Sequence, residues 1–123
     1  MAGEAMSTHE EQLAALDAAF PRMQLPESPL SFRRGPSASG RAVLLLPGAS
    51  GTSEFFCLVA PLLRDGGCDP VLVDYPGTLE PRALARETGK LAVRLGLASP
   101  LAVGCSYSAW WLQYVATADP FAA

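Results

Sequence analysis

Three short apolar runs, each closed by a turn of small residues and followed by a segment with helical spacing, set the narrowest limit on what this chain can fold into. Ala42 to Leu46 is apolar without a break, the pattern of a strand buried on both faces. PGASGT follows as a turn. Ser53 to Arg64 then carries Phe55, Phe56, Leu58, Val59, Leu62 and Leu63, with Thr52 or Ser53 placed to cap a helix and Pro61 expected to bend it. Val71 to Asp74 is a second apolar run, ending at YPG. Leu79 to Leu95 reads as the next helix, with Leu84, Thr88, Leu91 and Leu95 on one face, Pro81 in its first turn and Gly96 at its end. Leu101 to Gly104 is the third strand. Tyr107 to about Ala118 is the third helix, closed by Asp119-Pro120. Strand and helix alternating three times predict the α/β class: three parallel strands joined by right-handed crossovers, in three α/β/α layers.

Ahead of Arg41 the character is different. Thr8 and Glu11 have capping-box spacing, and Leu13, Leu16 and Phe20 share a face, so Thr8 to Phe20 is expected to be a short helix. Pro21 to Gly40 is rich in Pro, Ser and Gly and reads as a linker, with Leu30 to Phe32 at most a short edge strand. Two parts are therefore expected, an extension over 1–40 and an incomplete α/β domain over 41–123. Three parallel strands alone would leave two bare sheet edges, which predicts a poorly soluble or loosely folded polypeptide.

Composition excludes several classes of function. With 50% hydrophobic and 17% charged residues, the chain is too apolar for disorder and too sparsely charged for a coiled coil. A net charge of -3 with scattered arginines offers no phosphate footprint, so nucleic acid is not an expected partner. Cys57, Cys68 and Cys105 are odd in number and lack ligand spacing, so neither a disulfide framework nor a metal is expected, and no cofactor motif is present. The start, MAGEAMSTHEEQ, is acidic where a signal peptide is basic. No apolar run reaches the roughly 18 residues of a membrane span. A cytosolic location is the default expectation.

Chemistry in an open parallel sheet collects beyond the carboxyl ends of the strands. There the third run gives GCSYS, a small residue, any residue, a nucleophile, any residue and a small residue, between a strand and a helix. That is the pattern of a nucleophile elbow, with Gly104 and Ser108 in the two small positions around Ser106. Shifting the register to Cys105 would place Val103 and Tyr107 where small residues are needed. A second reading stays open: Ser106 caps the helix that starts at Tyr107. Acyl transfer also needs two N–H groups aimed at the developing oxyanion. The backbone of Tyr107 and of Ala49 in the PGASG turn are the candidates, with Gly48 and Gly51 letting that turn approach closely. An ordinary glycine turn is the alternative, and a phosphate cradle is excluded because GASGTSE has no P-loop lysine.

Taken together, LLLPGASGTSEFF, VLVDYPG and GCSYSAWWLQY resemble the α/β-hydrolase superfamily and, within it, the maspardin family. Gly48, Ser50, Gly51, Thr52 and Phe56 match a segment of the form LPG-x-SGT-x-x-x-aromatic, and Tyr75-Pro76 matches the next strand end. In the elbow Gly104, Ser106, Trp110 and Gln113 keep their places, while Tyr107, Ser108 and Ala109 stand where the family has Leu-Gly-Gly. The resemblance covers about Arg41 to Pro120 and implies a partial α/β-hydrolase fold. It implies a partner-binding protein of the cytosol, with peripheral endosomal association, or alternatively the nucleophile-bearing part of an esterase-type serine hydrolase acting on a small ester-like substrate.

The catalytic set is incomplete in either case. After Ser106 the only carboxylate is Asp119, a helix length away at roughly 1.5 Å per residue, and no histidine follows. His9 precedes the nucleophile and is expected to be an exposed helix-start residue. Trp110, Trp111 and Tyr114 are expected in the core, and Asp74 is expected to stabilise the turn before YPG.

Overall fold

The computed structural model describes residues 8–36 and 39–118. In chain order the elements are α1 (His9–Ala19), β1 (Arg22–Met23), β2 (Ser31–Arg34), β3 (Arg41–Leu46), a 3-10 turn (Ser53–Phe56), α2 (Val59–Asp65), β4 (Cys68–Asp74), α3 (Pro81–Arg94), β5 (Leu101–Gly104) and α4 (Tyr107–Ala118). The three apolar runs form β3, β4 and β5, which are parallel, with Leu44 opposite both Val71 and Ala102. The sheet is nevertheless five-stranded and mixed, in the order β1-β2-β4-β3-β5.

The two extra strands come from the segment expected to be a linker, and this corrects the three-strand expectation. β2 runs antiparallel to β4 with Phe32 opposite Val73, and β1 pairs antiparallel with β2. Alternation explains the strand: Leu30 and Phe32 are buried on one face, and Arg33 is buried on the other. The change at Arg41 therefore marks a change of composition and lies inside one sheet. One of the two edges expected to be bare is covered. β5 is the outer strand on the other side.

Two cores sandwich the sheet. On one face Leu44, Leu46, Val71 and Val73 pack with Leu84 and Leu91 of α3 and Trp111 and Val115 of α4. On the other, Val43, Leu45 and Leu72 pack with Leu16 and Phe20 at α1 and with Phe56 and Ala60. α1 opens with a complete capping box, Thr8 and Glu11 each bonding the other's backbone N–H at 3.1 Å. These bonds hold the Glu11 carboxyl below its usual range. The expected helix over 53–64 is divided into the 3-10 turn and α2. Pro61 stands in the first turn of α2, four residues after the break at Cys57, where its missing N–H has no helical acceptor to lose. β4 begins at Cys68, three residues earlier than expected, and includes Pro70. β2 pairs only from Val71 onward, so Pro70 interrupts no bond to that neighbour.

Candidate active site

β3 and β5 lie side by side with Leu46 opposite Gly104, and the chain leaves them toward opposite faces. After β3 it turns to the α2 face, and after β5 it enters α4 on the other. In open α/β sheets such a divergence at the carboxyl ends of the strands marks where ligands bind. The PGASG loop and Ser106 meet there. A Cβ added to Gly48 would lie 3.7 Å from Ser106 Cβ and 3.6 Å from the Cys105 carbonyl oxygen, so the loop backbone rests against the elbow.

Ser106 sits at φ +53°, a left-handed conformation that costs a non-glycine residue about 1–3 kcal/mol. Its side chain is exposed, and its hydroxyl bonds to no partner among the described residues. A helix-capping serine has extended backbone and accepts from the first turn through its hydroxyl. Ser106 does neither, so the capping alternative is set aside. Gly104 is required on steric grounds, since a Cβ there would lie 2.9 Å from the Ala109 nitrogen and 3.0 Å from Ser108 backbone carbon.

Ser108, where a second glycine is usual, is fully buried and fastens the turn. Its hydroxyl accepts the Cys105 N–H at 2.7 Å and lies 2.7 Å from the Leu46 carbonyl and 3.0 Å from that of Cys105, either of which can take its proton. The end of β3 and the elbow are thus tied through one side chain. Cys105 packs against the core on the α2 face, a partly buried residue of that layer.

The loop is held from β4. Gly51, at φ +68°, donates to the Gly48 carbonyl at 2.9 Å, and its own carbonyl accepts the Tyr75 N–H at 2.9 Å. Any Cβ on Gly51 would lie 2.2 Å from the Tyr75 carbonyl oxygen. Gly48 has no such need, because its hypothetical Cβ makes only ordinary contacts. The buried Tyr75 hydroxyl donates to the Gly48 carbonyl, with the Pro47 carbonyl 3.0 Å away. Burial pushes its pKa above the usual 10.0, against a smaller opposing pull from the Trp111 side chain. Sequence reasoning read Tyr75-Pro76 only as a strand end. Neither the Ala49 nor the Tyr107 N–H donates to a described acceptor.

The other candidates fall outside this site or are used elsewhere. Asp74 accepts the Ser53 N–H at 2.7 Å and the Ser53 hydroxyl at 2.9 Å, so it holds the 3-10 turn rather than the YPG turn. His9 is the exposed first residue of α1, and Asp119 lies outside the described residues. Trp111 is buried as expected, but Trp110 is 52% exposed, its ring beside those of Tyr107 and Tyr114. Among the described residues no group of three or more His, Cys, Asp and Glu could hold a metal ion. No described helix is long and apolar enough to cross a membrane.

The fold is a partial α/β-hydrolase fold. It is similar to a provisionally assigned epoxide hydrolase from Pseudomonas aeruginosa (26% identity, TM-score 0.70), matching 85% of this chain and 39% of that one. Cfl2 from Burkholderia cenocepacia matches 82% of this chain and 37% of its own at 23% identity and TM-score 0.69. A provisionally assigned hydrolytic enzyme from Pseudomonas aeruginosa PAO1 matches 83% and 37% at 22% identity and TM-score 0.62. The chain thus spans about two fifths of the length of these structures. No family model matches it, and no curated protein matches it in sequence.

Proposed function

We propose that this chain carries the nucleophile-bearing part of a serine-hydrolase site for small ester-like substrates, with Ser106 as nucleophile. The single observation behind this reading is Ser106 at φ +53°, exposed, beside Gly48 and with its hydroxyl bonded to no described residue. Attack of Oγ on an ester carbonyl moves charge onto the carbonyl oxygen, where the N–H groups of Ala49 and Tyr107 receive it. Tyr107 is the first residue of α4, so its N–H has no acceptor within the helix.

Deprotonating the serine needs a base, and the sole histidine, His9, stands at the start of α1. Binding and oxyanion stabilisation alone support a residual rate. A fluorophosphonate probe should therefore label the chain slowly, and added imidazole, an external base, should accelerate labelling. Ser106→Ala should abolish it. Wild-type protein that stays unlabelled at every imidazole concentration would end this reading.

A second reading, a maspardin-like partner-binding protein of the cytosol with peripheral endosomal association, draws on a different observation. Phe55, Leu58 and Leu62 are 62%, 60% and 71% exposed at helical spacing along the 3-10 turn and α2. Such an apolar ridge suits a protein partner and requires no base. Leu62→Glu should then remove co-eluting protein and endosomal co-sedimentation while Ser106→Ala leaves both intact. The opposite pattern would favour the hydrolase.

A further inference from the structure

We propose that Tyr75 is the positioning residue of this site, its hydroxyl fixing the Gly48–Ala49 peptide plane so that the Ala49 N–H stays turned outward from the loop. Geometry and covalent structure carry the step. The Gly48 carbonyl and the Ala49 N–H belong to one planar peptide, and no described peptide bond is cis. In a trans peptide the two groups point in opposite directions. Whatever holds the carbonyl therefore aims the N–H.

Two donors hold that carbonyl. One is the Gly51 N–H at 2.9 Å, and the other is the Tyr75 hydroxyl. With the carbonyl held on that side, the N–H is left on the opposite side of the peptide, where it meets no described acceptor. If the plane turned over, the carbonyl would face outward and repel a developing oxyanion, the Gly51 N–H would lose its acceptor, and the Tyr75 hydroxyl would keep only the Pro47 carbonyl at 3.0 Å. The hydroxyl thus separates two arrangements of one peptide, only one of which can stabilise negative charge.

Tyr75 is itself firmly placed. It is 6% exposed, its N–H bonds the Gly51 carbonyl at 2.9 Å, and its ring meets that of Trp111 edge to face at 5.7 Å. Trp111 lies in the helix that Ser106 precedes, so one side chain is in contact with both the loop and the helix of the elbow. The consequence for chemistry rests on the acyl-transfer reading above. The orientation of the peptide does not.

Tyr75→Phe keeps the ring and removes only the hydroxyl. In a crystal structure of this variant the Gly48–Ala49 peptide should turn over or divide between two orientations. Fluorophosphonate labelling of Ser106, at fixed imidazole, should slow about tenfold with the reagent's apparent binding constant unchanged, a fraction of the 10²–10³ that accompanies loss of a whole oxyanion donor. A peptide plane that stays as in the wild type overturns the proposal, even if Ser106 labels normally and the hydrolase reading stands. A plane that turns in a protein whose wild type never labels supports the positioning role and removes the acyl-transfer reading. Should Tyr75→Phe fail to fold, the wild-type hydroxyl proton decides. It should be slow to exchange with water and show a nuclear Overhauser contact to Gly48 or Gly51, and rapid exchange overturns the proposal.

Discussion

Two polar regions lie toward the same end of this sheet, and they are built on opposite principles. On the β2–β4 side, buried Arg33 donates to the Ser53 hydroxyl at 2.9 Å and to Asp17 at 2.5 Å, and Ser53 in turn donates to Asp74. Arg22 approaches the same carboxylate at 3.7 Å. The charges taken into the interior are met by bonds from neighbouring elements. At the β3–β5 side the strained Ser106 hydroxyl and the N–H groups of Ala49 and Tyr107 have no described partner. Buried polar groups are normally satisfied, whereas Ala49 and Ser106 are exposed and open to solvent. The first region stabilises the fold. The second leaves groups available to a ligand, and the fold holds them in place through Tyr75 and Ser108.

The largest effect separating the two should come from Asp74→Ala. It orphans the buried Ser53 N–H and hydroxyl and leaves Arg33 with a weakened relay, at a cost of about 3 kcal/mol. Urea unfolding reads this directly, and Asp74→Asn, which retains an acceptor oxygen, should lose less. Equal losses would mean that charge, not acceptance, matters there. Ser108→Ala comes next, at about 2 kcal/mol, because the buried Leu46 carbonyl and Cys105 N–H lose their shared partner. A neutral outcome would show that the elbow is held by packing alone.

Ser106→Gly should have the opposite sign. Glycine adopts φ +53° without a Cβ penalty, so the variant should gain about 1 kcal/mol while losing fluorophosphonate labelling. Ser106→Ala, which keeps the strain, should lose the label with little change in unfolding midpoint. A Ser106→Gly protein less stable than wild type would place this residue with the structural region and undo the contrast.

What could be read in advance follows from the range of the interactions. β3, β4 and β5 announce themselves locally, because a strand covered on both faces must be apolar at successive positions. α3 is equally plain: Pro81 opens it, and Gly96, at φ +69°, follows its end. Of β2 only Leu30 to Phe32 was legible, as a short edge strand, because Arg33 and Arg34 read as loop residues until Asp17, Ser53 and Asp69 are brought to them from 16, 20 and 35 positions away. Ser106 and its flanking small residues were visible as a pattern, yet a backbone angle was needed to set the helix-cap reading aside. Ser108 read only as a small residue of the elbow and is a clamp. Tyr75 was missed because its partners, Pro47 and Gly48, lie 28 and 27 residues earlier. Trp110 and Trp111 look alike in sequence, and only the placement of α4 separates the exposed one from the buried one.

The smallest effect is confined to alkaline pH and probes the site side of the comparison. Burial raises the Tyr75 pKa above its ordinary 10.0 in the folded protein. A group whose folded pKa lies above its unfolded value contributes stability that is complete below the unfolded pKa and lost as pH rises through the folded one. The loss has a direct cause, since a phenolate at this position would face the Gly48 and Pro47 carbonyl oxygens with no proton to offer. The difference in unfolding midpoint between wild type and Tyr75→Phe should therefore be constant up to about pH 9 and shrink above pH 10. Titrating lysines and arginines affect both proteins alike and cancel in that difference. A gap that does not change with pH would mean that the hydroxyl is not the group holding the loop, and the site would then depend on Gly51 and Ser108 alone.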